Sequence, residues 1–159
     1  MQTIKGGFTL VELLVVIAIL SILSTLGLAN FQSSRIKARD LSRKSDLQTV
    51  AKSLEAYVND HRSYPLSNSD GEIICKTTNP PECPWGEAFT DDNGTIYAAT
   101  LPADSSGFTY WYSSINGTDY RLYARLENSG DNSIDTSITD TYCAANVLCN
   151  YQITSSNVQ

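Results

Sequence analysis

Four groups of residues in this 159-residue chain have types and spacings that could do chemistry. One is a lone carboxylate, Glu12, set in an otherwise apolar run over residues 8–28 and preceded by Gly6-Gly7-Phe8-Thr9. A carboxylate among apolar groups is costly unless an opposite charge meets it, so Glu12 calls for a cationic partner. Another is the set of four cysteines, Cys75, Cys83, Cys143 and Cys149. Their even number and the close spacing within each pair suggest two short disulfide loops, 75–83 and 143–149, although other connectivities are open. Neither pair has CxxC spacing and His61 is the only histidine, so zinc is not indicated. A further group is the acidic stretch holding Glu127, Asp131 and Asp135. It offers oxygens of the kind calcium takes about six to eight of, and the same composition also makes a plain solvated loop. Last comes His61, at the end of a helical pattern, where a solvated cation favours the helix dipole.

No nucleophile elbow, phosphate-binding loop or HExxH pair occurs, so the chain does not read as an enzyme, and no cofactor is called for beyond a calcium ion as a possibility. The charge distribution says more. Net charge is −6 with a pI near 4.6, and it is unevenly spread. Residues 35–62 carry a net +3, whereas residues 63–159 carry −9. The distal part is therefore acidic and has no basic face for nucleic acid. Arg35, Lys37, Arg39, Arg43 and Lys44 follow the apolar run, against Lys5 alone before it. By charge alone that distribution would leave the distal side in the cytoplasm.

The elements that must position these groups begin with the apolar run. As a helix, residues 8–28 would span roughly 31 Å, about one hydrocarbon core. Their fourteen Phe, Leu, Ile and Val residues favour insertion by on the order of 4–8 kcal/mol. Glu12 opposes it by about 2.5–3.5 kcal/mol at most. A single membrane span is thus expected. Helical periodicity continues until Tyr64-Pro65, with Leu47, Val50, Ala51, Leu54, Tyr57 and Val58 on one stripe. Residues 32–44 show no clean stripe and read as a solvated spacer or as a segment that finds contacts in neighbouring subunits. Gly27 is the one weak point of the helix. Residues 66–107 read as loops, with a weak strand or short helix at 96–101. Residues 108–115 and 119–126 read as a hairpin about a two-residue Asn116-Gly117 turn. Tyr120, Leu122, Ala124 and Leu126 share its inner face, and a last short strand is expected at 150–154. The aromatics Tyr110, Trp111, Tyr112 and Tyr123 serve as core, or as the adhesive face of a membrane-tethered binding domain that never polymerises.

The string Lys5-Gly6-Gly7-Phe8-Thr9-Leu10-Val11-Glu12-Leu13 resembles the cleavage and methylation site of type IV prepilins and type II secretion pseudopilins. Ser45-Asp-Leu-Gln, Leu54-Glu-Ala-Tyr57, Arg62-Ser-Tyr-Pro65, Leu101-Pro-Ala-Asp104 and Tyr120-Arg-Leu-Tyr123 extend the likeness toward the major pseudopilin. The resemblance implies an α+β pilin fold, a long N-terminal helix packed on a small antiparallel sheet. It implies a leader at 1–7, a transmembrane and filament-core helix at 8–30, an amphipathic continuation at 31–64 and a globular domain at 65–159. It also implies cleavage between Gly7 and Phe8 by prepilin peptidase, methylation of Phe8, and assembly through Phe8 and Glu12, the latter meeting a neighbour's terminal amine. The partners implied are further copies of the chain, the bacterial inner membrane before assembly, the peptidase and an assembly platform. The globular domain would stand outside the cytoplasm and end in an extracellular filament or pseudopilus. Calcium bound by a C-terminal loop of major pseudopilins points again to Glu127, Asp131 and Asp135.

Overall fold

The computed structural model describes residues 7–155, without the side chains of residues 25–30. Lys5 and Gly6 of the cleavage motif therefore lie outside the described residues. The chain divides into two compact units, Met1–Ala38 and Arg39–Gln159.

Helix α1 runs from Leu10 to His61, continuous through Gly27. It starts at Leu10 because Thr9 caps it, and it ends because Arg62 turns into the left-handed region at φ 61°. The Arg62 N–H closes the last turn on the Val58 carbonyl at 2.7 Å, so the helix stops three residues before Tyr64, ahead of the proline expected to end it.

In the second unit, Leu47, Val50 and Leu54 of α1 are fully buried. They pack with Tyr112, Tyr120, Leu122 and Ala124. That sheet has the order β10–β7–β6, with β6 at Trp111–Ser113, β7 at Arg121–Ala124 and β10 at Tyr151–Thr154, all antiparallel. Tyr120, Leu122, Ala124 and Leu126 are all buried, as the alternation predicts. The opposite face is covered as well. Tyr123 is buried too, beneath Ile138, Cys143 and Cys149, because the hairpin β8 (Tyr142–Ala144) and β9 (Val147–Leu148) covers it.

The β6–β7 turn differs from expectation. The pairs Tyr112↔Leu122 and Ser113↔Arg121 leave residues 114–120 as the connection, so Asn116-Gly117 is not a two-residue turn. Gly117 instead lies against the end of α1, its carbonyl accepting from the Tyr64 N–H at 2.8 Å. A Cβ on it would stand 3.0 Å from the Tyr64 carbonyl oxygen, and its φ is 72°. The stretch read as loop carries short strands: β1 (Leu66–Ser67), β2 (Ile73–Ile74) and β3 (Glu82–Cys83) in one sheet, and β4 (Phe89–Thr90) with β5 (Ile96–Ala98) in another.

Candidate functional site

The N-terminal junction is built by one helix start. Thr9 donates its backbone N–H to Glu12 Oε2 at 2.8 Å and its hydroxyl to the same oxygen, while the Glu12 N–H donates to Thr9 Oγ1 at 3.3 Å. This reciprocal pair is a capping box, which satisfies otherwise orphaned helix N–H groups. Thr9 was missed as a functional residue by the sequence reading, although Thr9-Leu-Val-Glu12 carries the signature. Glu12 Oε1 has no hydrogen-bond partner among the described residues. The cap leaves Gly7 and Phe8 ahead of the helix. A Cβ on Gly7 would meet nothing within 4 Å, so neither packing nor backbone conformation in this chain demands glycine there.

Beyond the cap, the described apolar side chains are exposed. Phe8 is 82% exposed, Leu10 79%, and Val11, Leu13, Leu14, Val15, Val16, Ile17, Ile19, Leu20, Ile22 and Leu23 are all exposed. Ser21 and Ser24 turn their hydroxyls back to the carbonyls of Ile17 and Leu20, so even the polar groups of this stretch are satisfied inside the helix. Among the described residues no helix is long and apolar enough to cross a membrane. The run expected to do so extends to residue 28, past the last side chain described before residue 31.

The globular unit holds the other candidates. Cys75 is bonded to Cys83 and Cys143 to Cys149, all four buried. The calcium candidates do not converge. Glu127 accepts from Arg39 Nε at 2.9 Å and Nη2 at 2.6 Å, and from Arg43 Nη2 at 2.7 Å. Asp131 accepts from Lys44 Nζ at 2.7 and 2.8 Å. Asp135 accepts from Ser137 and from Gln152 Nε2 at 2.6 Å. No group of three or more acidic, His or Cys side chains suited to a metal occurs among the described residues. The acidic loop, read from sequence either as a plain solvated loop or as a source of calcium ligands, here supplies ion-pair and turn partners.

Residues 39–44 of α1 are likewise no solvated spacer. Arg43 is buried, pairing with Asp40, Asp104 and Glu127, and Asp40 accepts the backbone N–H groups of Glu127 and Asn128. His61 is also not simply solvated. Its ring stacks on Tyr57 at 4.1 Å and its Nε2 lies 3.1 Å from Asp91 Oδ2 and 3.2 Å from the Tyr97 hydroxyl.

The aromatic cluster is largely enclosed, with Trp111 partly buried. Tyr110 and Tyr112 are 2% and 0% exposed, and Tyr123 is buried under the C-terminal disulfide hairpin. Burial pushes the Tyr110 and Tyr112 phenols far above their ordinary range, and their hydroxyls are spent on Asp46 and on the Pro65 carbonyl. Trp111 lies over the backbone of Gly71. Tyr110, Tyr112 and Tyr123 are core, and Trp111 packs partly buried against it.

Residues 4–28 match the prokaryotic N-terminal methylation motif. The chain is similar to the type II secretion system core protein G of Vibrio cholerae, 32% identical over 119 residues, which are 63% of this chain and 82% of the relative. It is similar to the core protein G of Pseudomonas aeruginosa as well, 33% identical over 68% of this chain and 72% of the relative. A third relative is the type IV major pilin protein PilE1 of Neisseria gonorrhoeae, 33% identical over 80% of this chain and 73% of the relative. No solved structure matches the chain significantly. With a methylation motif at its start, a long helix laid on an antiparallel sheet, and these relatives along most of its length, the chain belongs to the type IV pilin and type II secretion pseudopilin family.

Proposed function

We propose that this chain is the structural subunit of a type IV pilus-like filament. It is made as a single-span inner-membrane precursor, cut between Gly7 and Phe8 by prepilin peptidase, methylated on the new terminus, and polymerised through the apolar part of α1. The observation that carries this reading is the uncovered apolar surface of residues 8–23 directly behind a capped, glycine-led junction. Surface of that kind belongs in lipid before assembly and against sister helices afterwards. The role is structural rather than catalytic, in keeping with the named relatives. The globular domain stands outside the cytoplasm, where its two disulfides persist.

Glu12 would then take two partners. Its Oε2 holds the Thr9 cap, and its Oε1 accepts the terminal ammonium of a neighbouring subunit. Mass spectrometry of the cell-derived protein should find methylated Phe8 at the N-terminus, and an intact residue 1 would sink the reading. Two substitutions separate the two jobs of the carboxylate. Glu12→Gln keeps a capping-box side chain but loses the charge, whereas Glu12→Leu loses both, with about 1 kcal/mol of cap stabilisation. Both variants should be inserted and processed, and both should yield few sheared filaments. Normal filament yield from Glu12→Gln would show that the cap, and not the charge, is what assembly needs.

A further inference from the structure

The loop over residues 127–135 is gathered against α1 by side-chain cations of the same chain. Lys44 Nζ sits 2.7 and 2.8 Å from the two Asp131 oxygens and 3.0 Å from the Ser133 hydroxyl, three oxygens from one short segment. One turn of loop earlier, both Glu127 oxygens are taken by Arg39 and Arg43. The Asp40 carboxylate closes the arrangement by accepting the Glu127 and Asn128 backbone N–H groups at 2.9 and 2.8 Å. A calcium ion needs about six to eight oxygens free to converge. Here the oxygens of Glu127 and Asp131 are already bound to positive charge, and a divalent ion at Asp131 would have to displace an ammonium that lies within hydrogen-bonding distance.

We propose that Lys44, with Arg39 and Arg43 behind it, fills the place of a metal ion in this chain, so that the 127–135 loop is locked to α1 by an internal cation and needs no calcium. The lock ties the middle of the long helix to the segment that leads into the disulfide hairpin at β8 and β9. The Lys44 hydrogen bonds hold the Asp131 carboxyl below its usual range, and Arg39 does the same for Glu127, so the pairs persist at every pH at which the loop carboxylates are charged.

The test uses the full-length protein in detergent micelles. Thermal unfolding followed by circular dichroism should be the same in millimolar calcium and in chelator, whereas a bound calcium would raise the midpoint by several degrees. Terbium, used as a luminescent calcium substitute, should show no sensitised emission. Lys44 is partly exposed, so Lys44→Met should still fold. Amide exchange across residues 128–135 should then speed up by roughly tenfold or more, since a closed loop would open locally. Asp131→Asn should do the same from the other side of the pair, and Lys44→Arg should retain most of the protection. A calcium-dependent midpoint or terbium emission in the unsubstituted protein would overturn the proposal. So would unchanged exchange in both Lys44→Met and Asp131→Asn.

Discussion

Gly71 shows how much one hydrogen atom can decide. Its φ is 74°, and a Cβ built on it would stand 2.3 Å from Cδ2 of Trp111. Its carbonyl meanwhile accepts from the Tyr112 N–H at 2.9 Å and from the Trp85 indole at 3.2 Å. The indole of Trp111 can lie over this backbone only because no side chain is there. Gly71→Ala should therefore destabilise the globular unit by roughly 2–4 kcal/mol, combining the cost of a strained backbone with that of a displaced core ring. Chemical denaturation of the purified variant measures it, and a change below a few tenths would mean that the ring moves freely. Arg43 makes the complementary point about what a sequence can reveal. Its partners Asp104 and Glu127 lie 61 and 84 residues away, so no local spacing marks it as a buried residue. Glu12 and Thr9 are the opposite case, because a capping box is complete within four residues and can be read directly.

At the scale of elements, legibility followed the length of the pattern. The helix stripe through Leu47, Val50 and Leu54 and the alternation Tyr120, Leu122, Ala124, Leu126 repeat often enough to be read, and both are buried together. The strands at 66–67, 73–74 and 82–83 are two residues long, too short for any alternation, and they exist because the Cys75–Cys83 bond and backbone pairing hold them in register. The basic flank has a second role that its local spacing does not reveal. Of Arg35, Lys37, Arg39, Arg43 and Lys44, the last three are bound to Asp104, Glu127 and Asp131, so they are fold cations before they are topology signals. Loops pinned by carboxylates should loosen in acid. Asp92 is held down to about 2 from its ordinary 3.8, first by the Thr77 hydroxyl and then by the Thr77 N–H, with Thr78 adding to both. A depressed folded-state pKa contributes stability that is present above the unfolded value and is lost as pH falls through the folded one. Stability should thus hold down to about pH 4 and decline toward pH 2. Asp92→Asn should remove the part of that decline that belongs to the 77–78 clamp. An NMR titration of Asp92 with a midpoint near its ordinary value would refute the clamp.

Across the whole molecule, the two compact units divide the labour of burial unevenly. Every fully buried side chain among the described residues belongs to the unit that starts at Arg39, including the aromatic core, both disulfides and the Arg43 ion cluster. The described apolar residues ahead of residue 24 are all exposed, so they contribute nothing to that core and await cover from elsewhere. A domain of this size can bury enough surface to fold alone, more readily so with two internal cross-links. A fragment beginning at Ser34 should accordingly be soluble and monomeric, with a cooperative thermal transition and the Cys75–Cys83 and Cys143–Cys149 pairs recovered by non-reducing peptide mapping. The same fragment should not assemble at any concentration, because the surface proposed to drive polymerisation is gone while the fold is kept. Sedimentation of the fragment beside the processed full-length chain separates the two units' roles. If the fragment were unfolded, the apolar part of α1 would be part of the fold. If it formed filaments, the assembly surface would lie on the globular unit, and residues 8–28 would serve the membrane alone.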